Sequence, residues 1–506
     1  MRKDALMDQL AYGSGRESRI GVIDVGSNSI RLVVYDALKR VPLPLYNEKA
    51  FCSLGKGLSQ TNRLNPEGVK MARKAIARLL AAAKLNRVTE LHIIATAAIR
   101  DADDGKAFVK EIERTHHIKI DVISGKKEAK YAALGIVSGH YQPKGLVADL
   151  GGGSLELTLL EEQDILHHSS QPIGSLQLLD RGKGKPALMQ DLMEQYLNQI
   201  DWLAELAGKQ TKQLYAVGGS FRAIAKSHRI ETDYPLELLH NYTVKTKELL
   251  PYLEELIEAD EARLEKLPIS IKRRQQIPVA ARLLKELLSR SNAKRVIFST
   301  SGIREGLLFS QLSPYIRQED PLLASCDMLR NNQMGQARYA RELFEWMSPL
   351  FRDESDDERR VRMAACMLNH QALTIQSANR PAWAYHHILH SSIRGMEHEE
   401  RVMLAASVYH RYRSIMKDSF GSYQLLDAYQ ASWARLVGTA MRLAYTLSGG
   451  SPGNLPQTQL RLEKDRPQLR LSPPLKPLQG ETLDKRKEVL SESYLQFVRS
   501  QLKRVA

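Results

Sequence analysis

The sequence predicts an α/β protein whose core is built twice, followed by a separate and mostly α-helical domain. Three observations lead there. Two short apolar hairpins carrying the same acid-Gly-Ser turn stand 125 residues apart, strands and helices alternate around each, and beyond about residue 320 the strand-like runs give way to amphipathic stretches. A chain of 506 residues also exceeds what one hydrophobic core usually organises.

Residues 20–36, IGVIDVGSNSIRLVVYD, read as two β-branched strands joined by a Gly/Ser/Asn turn. From Pro66 to about Leu85, apolar residues such as Ala72, Ile76, Leu79 and Ala83 recur at helical steps behind a proline that suits the first turn. LHIIAT then reads as a buried strand, and a helix around Lys106 to His116, the strand IKIDVIS and a helix opening near Glu128 continue the alternation. Residues 145–160, GLVADLGGGSLELTLL, form the second hairpin. Laid on the first, Asp24 falls on Asp149, Gly26 on Gly151, Ser29 on Ser154 and Leu32 on Leu157, while Arg31 falls on Glu156. A helix near 187–207, the strand-turn LYAVGGS, charged helices to about 291, the strand KRVIFST and a helix opening in SGIREGLL complete the second half. Ala, Leu, Met, Arg and His dominate the helical stretches from 320 to Ser448. SGGSPGNLPQTQ reads as a linker, PQLRLSPPLKPLQG as too Pro-rich for helix, and the stretch from Thr482 as a basic terminal helix.

Composition removes whole classes of function. No apolar run approaches the roughly eighteen residues that a membrane-spanning helix needs, and the first twenty residues lack the apolar stretch of a secretory signal, so a cytoplasmic location is expected. Cys52, Cys326 and Cys366 are far apart, which fits reduced structural thiols and implies neither a disulfide frame nor zinc. A formal charge of +15, from 73 Lys and Arg against 58 Asp and Glu, favours polyanionic partners, although most such residues merely solvate helix faces. Nucleic-acid binding would rest on that charge alone, with no recognition motif, and is not expected.

Asp24-Val-Gly-Ser-Asn-Ser29 and Asp149-Leu-Gly-Gly-Gly-Ser154-Leu-Glu156 each set an acid at a strand end before a turn whose backbone N–H groups can cradle phosphate. Ser29 and Ser154 add hydroxyl donors. A tight hairpin can bring Asp149 and Glu156 together, and hard oxygen ligands beside phosphate suit magnesium or manganese. Either turn alone would be an ordinary hairpin; the matched pair points to a phosphate site. Val217-Gly-Gly-Ser220 and Ser301-Gly-Ile-Arg-Glu305 end strands and open helices, where they serve as simple N-termini or as anion contacts. No P-loop occurs. Glu128, in Ser124-Gly-Lys-Lys-Glu-Ala, is either a favourable first-turn charge or the group that orients attacking water. Arg100 is either a phosphate clamp or half of a salt bridge. His370, His386, His387, His390, His398 and His410 invite a metal reading, but Asn369-His370-Gln371 has no acid beside the histidine, so surface or packing roles are expected.

Taken in order, IGVIDVGSNSIRLVVYD, ATAAIRD, ISGKKEAKYAALG, ADLGGGSLEL, VGGS and SGIREG closely resemble the exopolyphosphatase and guanosine pentaphosphate phosphohydrolase family over about residues 19–312. The resemblance implies two ribonuclease-H-like domains of the actin-like ATPase superfamily facing across a cleft, here 18–136 and 137–315, after an N-terminal extension 1–17. A helical domain, 320–506, follows, similar to metal-dependent helical phosphohydrolases but with a degraded ligand pattern and a Pro-rich basic tail. By the same resemblance Glu128 is the catalytic base, Asp149 and Glu156 bind magnesium with Asp24 facing the metal, and Ser27, Asn28, Gly151, Gly152, Gly153, Ser154, Gly218, Gly219 and Ser220 bind phosphate. The family often has two glutamates where this chain has Lys127-Glu128, and a positive neighbour is expected to favour the charged carboxylate.

The expected activity is magnesium-dependent hydrolysis of terminal phosphates from inorganic polyphosphate, processive if a basic track holds the chain, by a homodimer as in long family members. Guanosine pentaphosphate hydrolysis, phosphate transfer from polyphosphate to ADP, and polyanion binding without catalysis are the rivals.

Overall fold

A computed structural model describes residues 18–206, 212–330, 335–417, 419–464 and 466–505. The expected extension 1–17 lies outside the described residues. The chain divides into two compact units: one takes the chain up to Asp233 together with Leu239–Gln318, the other takes Tyr234–Leu238 and the chain from Glu319 onward.

The first unit holds two mixed sheets. In one, the order is β3-β2-β1-β4-β5, from β1 Arg19–Val25, β2 Ser29–Tyr35, β3 Pro44–Phe51, β4 Val88–Ala95 and β5 Asp121–Val122. The other runs β10-β11-β9-β6-β7-β8, from β6 Lys144–Leu150, β7 Leu155–Glu161, β8 Asp164–Gln171, β9 Gln213–Gly218, β10 Tyr242–Lys245 and β11 Arg295–Phe298. Reading β8-β7-β6-β9-β11 against β3-β2-β1-β4-β5 repeats both order and direction: three antiparallel strands, then two parallel ones. This is the ribonuclease-H-like arrangement twice over, with β10 added antiparallel at one edge. Even the register repeats, with Asp24 opposite Arg31 and Asp149 opposite Glu156.

Alternation along β1 and β2 makes the first sheet apolar on both faces. Ile23, Val25, Leu32 and Val34 pack with Ile76 and Leu79 of the helix Pro66–Leu85, whereas Ile20, Val22, Val33 and Tyr35 pack with Leu307 and Leu308 of the helix Ile303–Gln311. Burying each such side chain contributes about 1.5–3 kcal/mol. The helix Ile303–Gln311 also lies against the helix Gly125–Gly139, so closely that a side chain at Gly306 would overlap the Tyr131 carbonyl. That contact sets the positions of Glu128 and Arg304, one on each helix.

Three segments depart from expectation. Of IKIDVIS only Asp121 and Val122 pair with β4, because Ile120 and Ile123 turn into the interior instead. The helix expected near 187–207 is two, Pro186–Leu197 and Asp201–Leu206. The tail contains a ribbon, β12 Thr458–Glu463 paired with β13 Arg466–Leu471, where a linker and coil were expected. Leu460, Leu462, Leu469 and Leu471 pack on the helical core, and a two-stranded ribbon tolerates Pro467 because both of its strands are edges.

In the second unit the helices Gln336–Met347, Asp356–Met367, Arg380–His390, His398–Tyr412, Ala428–Ser448 and Glu481–Val505 surround a core that includes the fully buried Trp433. Its histidines pack: His370 stacks on Tyr339, His387 on Trp383, and His398 shares a 3.0 Å hydrogen bond with the Tyr234 hydroxyl. All three cysteines are free and buried. No helix among the described residues is long and apolar enough to cross a membrane.

Candidate active site

Each half of the first unit presents one rung of three residues across its antiparallel strands. In the first half the rung runs Asp24, Arg31, Lys49 across β1, β2 and β3; in the second it runs Asp149, Glu156, Ser170 across β6, β7 and β8. Every member of the two rungs except Ser170 lines one cavity of about 160 Å³. The Ser170 hydroxyl donates to Glu156 Oε1 at 2.9 Å and faces a neighbouring cavity of about 480 Å³, shared with Arg100, Lys126, Ser154 and His168.

Ser124 caps the helix Gly125–Gly139, its hydroxyl accepting from the Lys127 amide at 3.3 Å, and Glu128 occupies the first turn. A first-turn glutamate normally points to solvent, but this one is 8% exposed and lines the cavity. Arg100 Nη1 donates to Glu128 Oε2 at 2.8 Å and Arg100 Nε to Asp101 at 3.0 Å. The glycine turns meet face to face, since a side chain at Gly153 would run into Ser27 Oγ and Ala97. Gln276 Oε1 accepts from Ser175 at 3.2 Å and from Ser220 at 3.3 Å, joining the start of the helix Ser175–Gly182 to the glycine turn at Ser220.

Charge is divided unevenly in the cavity. Burial pushes Glu128 up to about 7, against the pull of Arg100 and with a further push from Asp149 and Asp24. Burial likewise raises Asp149 to about 6, opposed by Arg222, and holds Glu156 well above the usual carboxylate range with help from Glu128 and Asp149. Asp24 is raised by burial too, although Arg304 Nη1 donates to it at 3.1 Å. Arg31, Lys49, Arg222, Arg273 and Arg304 line the same cavity. Burial and then Arg273 and Arg31 bring Lys49 down to about 7, and burial with Arg304 and Arg31 brings Arg222 down to about 10. The carboxylates repel one another and so do Arg31, Lys49, Arg222 and Arg273, whereas Arg304 is held by Asp24 and, against the effect of burial, raised by Glu305 and Asp24.

Lys127 does not act as expected. Its ammonium pairs with Asp121 at 2.6 Å and is half-exposed, and Glu128 titrates higher than usual, because burial outweighs the pull of Arg100.

Among the described residues no three His, Cys, Asp or Glu side chains converge closely enough to cage a cation. Asp149 nevertheless faces the cavity with no side-chain hydrogen bond or ion pair among the described residues, and Glu156 is held only by hydroxyls. Such a hard-oxygen set fits magnesium, which is usually bound by one or two carboxylates and completed by phosphate oxygens and water.

Asp24, Ser27, Asn28, Ser29, Glu128, Asp149, Gly151, Gly152, Gly153, Ser154, Glu156, Gly218, Gly219 and Ser220 all line the first cavity, and Arg100 lines the second. Sequence reasoning missed the cationic wall. Arg31 stood in the repeat alignment, and Arg222 and Arg304 follow closely on the two downstream glycine turns. Lys49, from β3, and Arg273, from the short helix Ile271–Arg274, carry no spacing signal.

Comparison with known proteins bears on the family and the fold. The family model described as the Ppx/GppA phosphatase family matches residues 33–314, and one described as exopolyphosphatase, C-terminal, matches residues 322–496. The chain is 23% identical over 490 residues to Retrograde regulation protein 2 of Saccharomyces cerevisiae, covering 86% of this chain and 81% of that protein. It is 24% identical over 306 residues to Exopolyphosphatase 1 of Mycobacterium leprae, covering 58% and 89%. A solved exopolyphosphatase from Cytophaga hutchinsonii superposes with a TM-score of 0.53 at 23% identity, over 58% of this chain and 97% of that one, which establishes likeness of fold.

Proposed function

Because the chain belongs to the Ppx/GppA phosphatase family, we propose that it is an exopolyphosphatase, releasing orthophosphate from the ends of inorganic polyphosphate. One observation carries this reading: a buried glutamate titrating near neutrality shares a cavity with five cations and paired glycine turns. The cations take the phosphate oxygens, with arginine suited to bidentate contact, while the turns around Ser27 and Gly151–Ser154 offer backbone N–H groups. Glu128, held by Arg100, orients a water in line with the terminal phosphorus and accepts its proton as the bridging P–O bond breaks; such a base contributes about 10²–10⁴ in rate. Magnesium or manganese, held by Asp149 with Glu156, would neutralise phosphate oxygens. Among the described residues no aromatic side chain lines the cavity to stack a nucleotide base, which favours polyphosphate over guanosine pentaphosphate.

The test is orthophosphate release from long-chain polyphosphate by purified protein, with and without magnesium, beside guanosine pentaphosphate at equal concentration. Metal-dependent release that prefers polyphosphate is expected. Preference for the nucleotide, or ATP formed when ADP is added in place of free orthophosphate, would replace the proposal with a rival.

A further inference from the structure

Two cavities of the first unit meet at its buried carboxylates, and the residues that hold those carboxylates belong to the second cavity. Glu128 and Glu156 line the cavity of about 160 Å³. Arg100, which donates to Glu128 at 2.8 Å, and Ser170, which donates to Glu156 at 2.9 Å, line the one of about 480 Å³. Ser154, 2% exposed, lines both. Two side-chain hydrogen bonds and a turn serine thus stand at the partition.

The second cavity carries positive charge of its own. Arg100 uses Nε on Asp101 at 3.0 Å and Nη1 on Glu128 and on the Ile123 carbonyl at 3.3 Å, which leaves Nη2 without a protein partner among the described residues. Lys126 is exposed and, unlike Lys127 beside it, has no salt bridge among the described residues. His168, half-buried, stands two residues before Ser170 on β8. Among the described residues Asp101 is the single carboxylate lining this cavity, and Arg100 already engages it. A side chain at Gly125 would overlap Ser170 Oγ, so the helix that carries Glu128 and the strand that carries Ser170 meet closely at its rim.

The direction of attack gives this space a use. In phosphoryl transfer the attacking and leaving oxygens lie roughly in line on opposite sides of phosphorus. With the water at Glu128, the rest of the polymer extends from the far side of the terminal phosphorus, while the cavity reached past Arg100 and Ser154 lies on the side of the water. We propose that this second cavity is a separate door through which orthophosphate leaves, received by Arg100 and Lys126, while the shortened polymer stays in the first cavity. The proposal rests on the reading of the chain as an exopolyphosphatase. In each turnover the water oxygen bonds to the terminal phosphorus, the bridging P–O bond breaks, and the water's proton passes to Glu128. The free donor of Arg100 offers the orthophosphate so formed its first contact, with arginine suited to phosphate oxygens, and Lys126 extends positive charge toward solvent. A polymer shortened without being released requires such an exit, because it occupies the path by which it entered.

The test is the pattern of inhibition by orthophosphate. The purified full chain is given radiolabelled long-chain polyphosphate at constant free magnesium and ionic strength, and labelled orthophosphate is followed as unlabelled orthophosphate is added. Orthophosphate returning through its own door meets enzyme that still holds polymer, so inhibition should persist at saturating polyphosphate. Lys126→Glu, at an exposed position, should raise the orthophosphate concentration for half inhibition by about three- to tenfold. His168→Trp, which narrows the cavity, should leave the first cleavage seen by rapid acid quench unchanged and slow later turnovers by about tenfold, since release rather than chemistry then sets kcat. Should His168→Trp fail to fold, Lys126→Glu decides. Inhibition that vanishes at saturating polyphosphate, unchanged inhibition in Lys126→Glu, or unslowed turnover in folded His168→Trp would overturn this inference alone. No release of orthophosphate by the parent would overturn the functional reading, and this inference with it.

Discussion

The two hairpins of the duplicated unit share strand order, direction and register, yet their equivalent rungs carry opposite charge. Asp24-Arg31-Lys49 adds two cations to one acid, while Asp149-Glu156-Ser170 adds a second acid and a hydroxyl. On the proposed function, one backbone solution serves twice, once to hold phosphate and once to hold a cation and, with Glu128 beside it, to activate water. The difference shows that duplication supplies the geometry of such a cleft, while substitution at two or three rung positions changes its charge.

The largest expected effect is on the acidic side. Glu128→Gln should lower kcat by about 10²–10⁴ with polyphosphate affinity kept, measured by steady-state orthophosphate release. The parent's kcat should rise with pH through about 7 as Glu128 gives up its proton, and this limb should vanish in the variant. On the cationic side the same pH range acts in the opposite sense. Lys49 loses its proton near 7, so 1/KM should fall as pH rises, and Lys49→Met should flatten that fall. Arg31→Gln should raise KM by roughly 10–100-fold, the loss of about 1.5–3 kcal/mol expected for hydrogen bonds to a charged group, with little change in kcat.

A stability difference should separate the rungs further. Glu156 titrates above its unfolded value, so its contribution to folding is present below that value and is lost as pH rises through the folded one. Glu156→Gln should therefore raise Tm, by more at pH 8 than at pH 5, while Arg31→Gln should show no such widening. The smallest effect is expected at Lys127. Its ammonium is engaged by Asp121, and an exposed pair of this kind contributes about 0–1 kcal/mol, so Lys127→Glu should change kcat/KM by only a few-fold.

Much of the fold and half of the site were legible in the sequence, for a definite reason. Asp24 and Asp149 recur with their glycine turns at one offset, and repetition is a linear signal. The cations lining the same cavity arrive singly on β2, β3 and three helices, so only the folded chain brings them together. The burial of Glu128 was likewise hidden, because it depends on Gly306 letting one helix approach another, a contact between residues far apart in the chain. The paired strands Thr458–Glu463 and Arg466–Leu471 were obscured by Pro467 and the prolines flanking them, although Leu460, Leu462, Leu469 and Leu471 alternate as strand residues do.

The division between the rungs is tested most directly by measuring, in Arg31→Gln and Glu156→Gln side by side, the dissociation constant for polyphosphate and the magnesium concentration giving half-maximal orthophosphate release. A crossed result is predicted: Arg31→Gln weakens polyphosphate binding and leaves the magnesium requirement alone, while Glu156→Gln raises the magnesium requirement and leaves polyphosphate binding alone. Equal shifts of both quantities in both variants would contradict it, and would mean that the two rungs act as one undivided charge cluster.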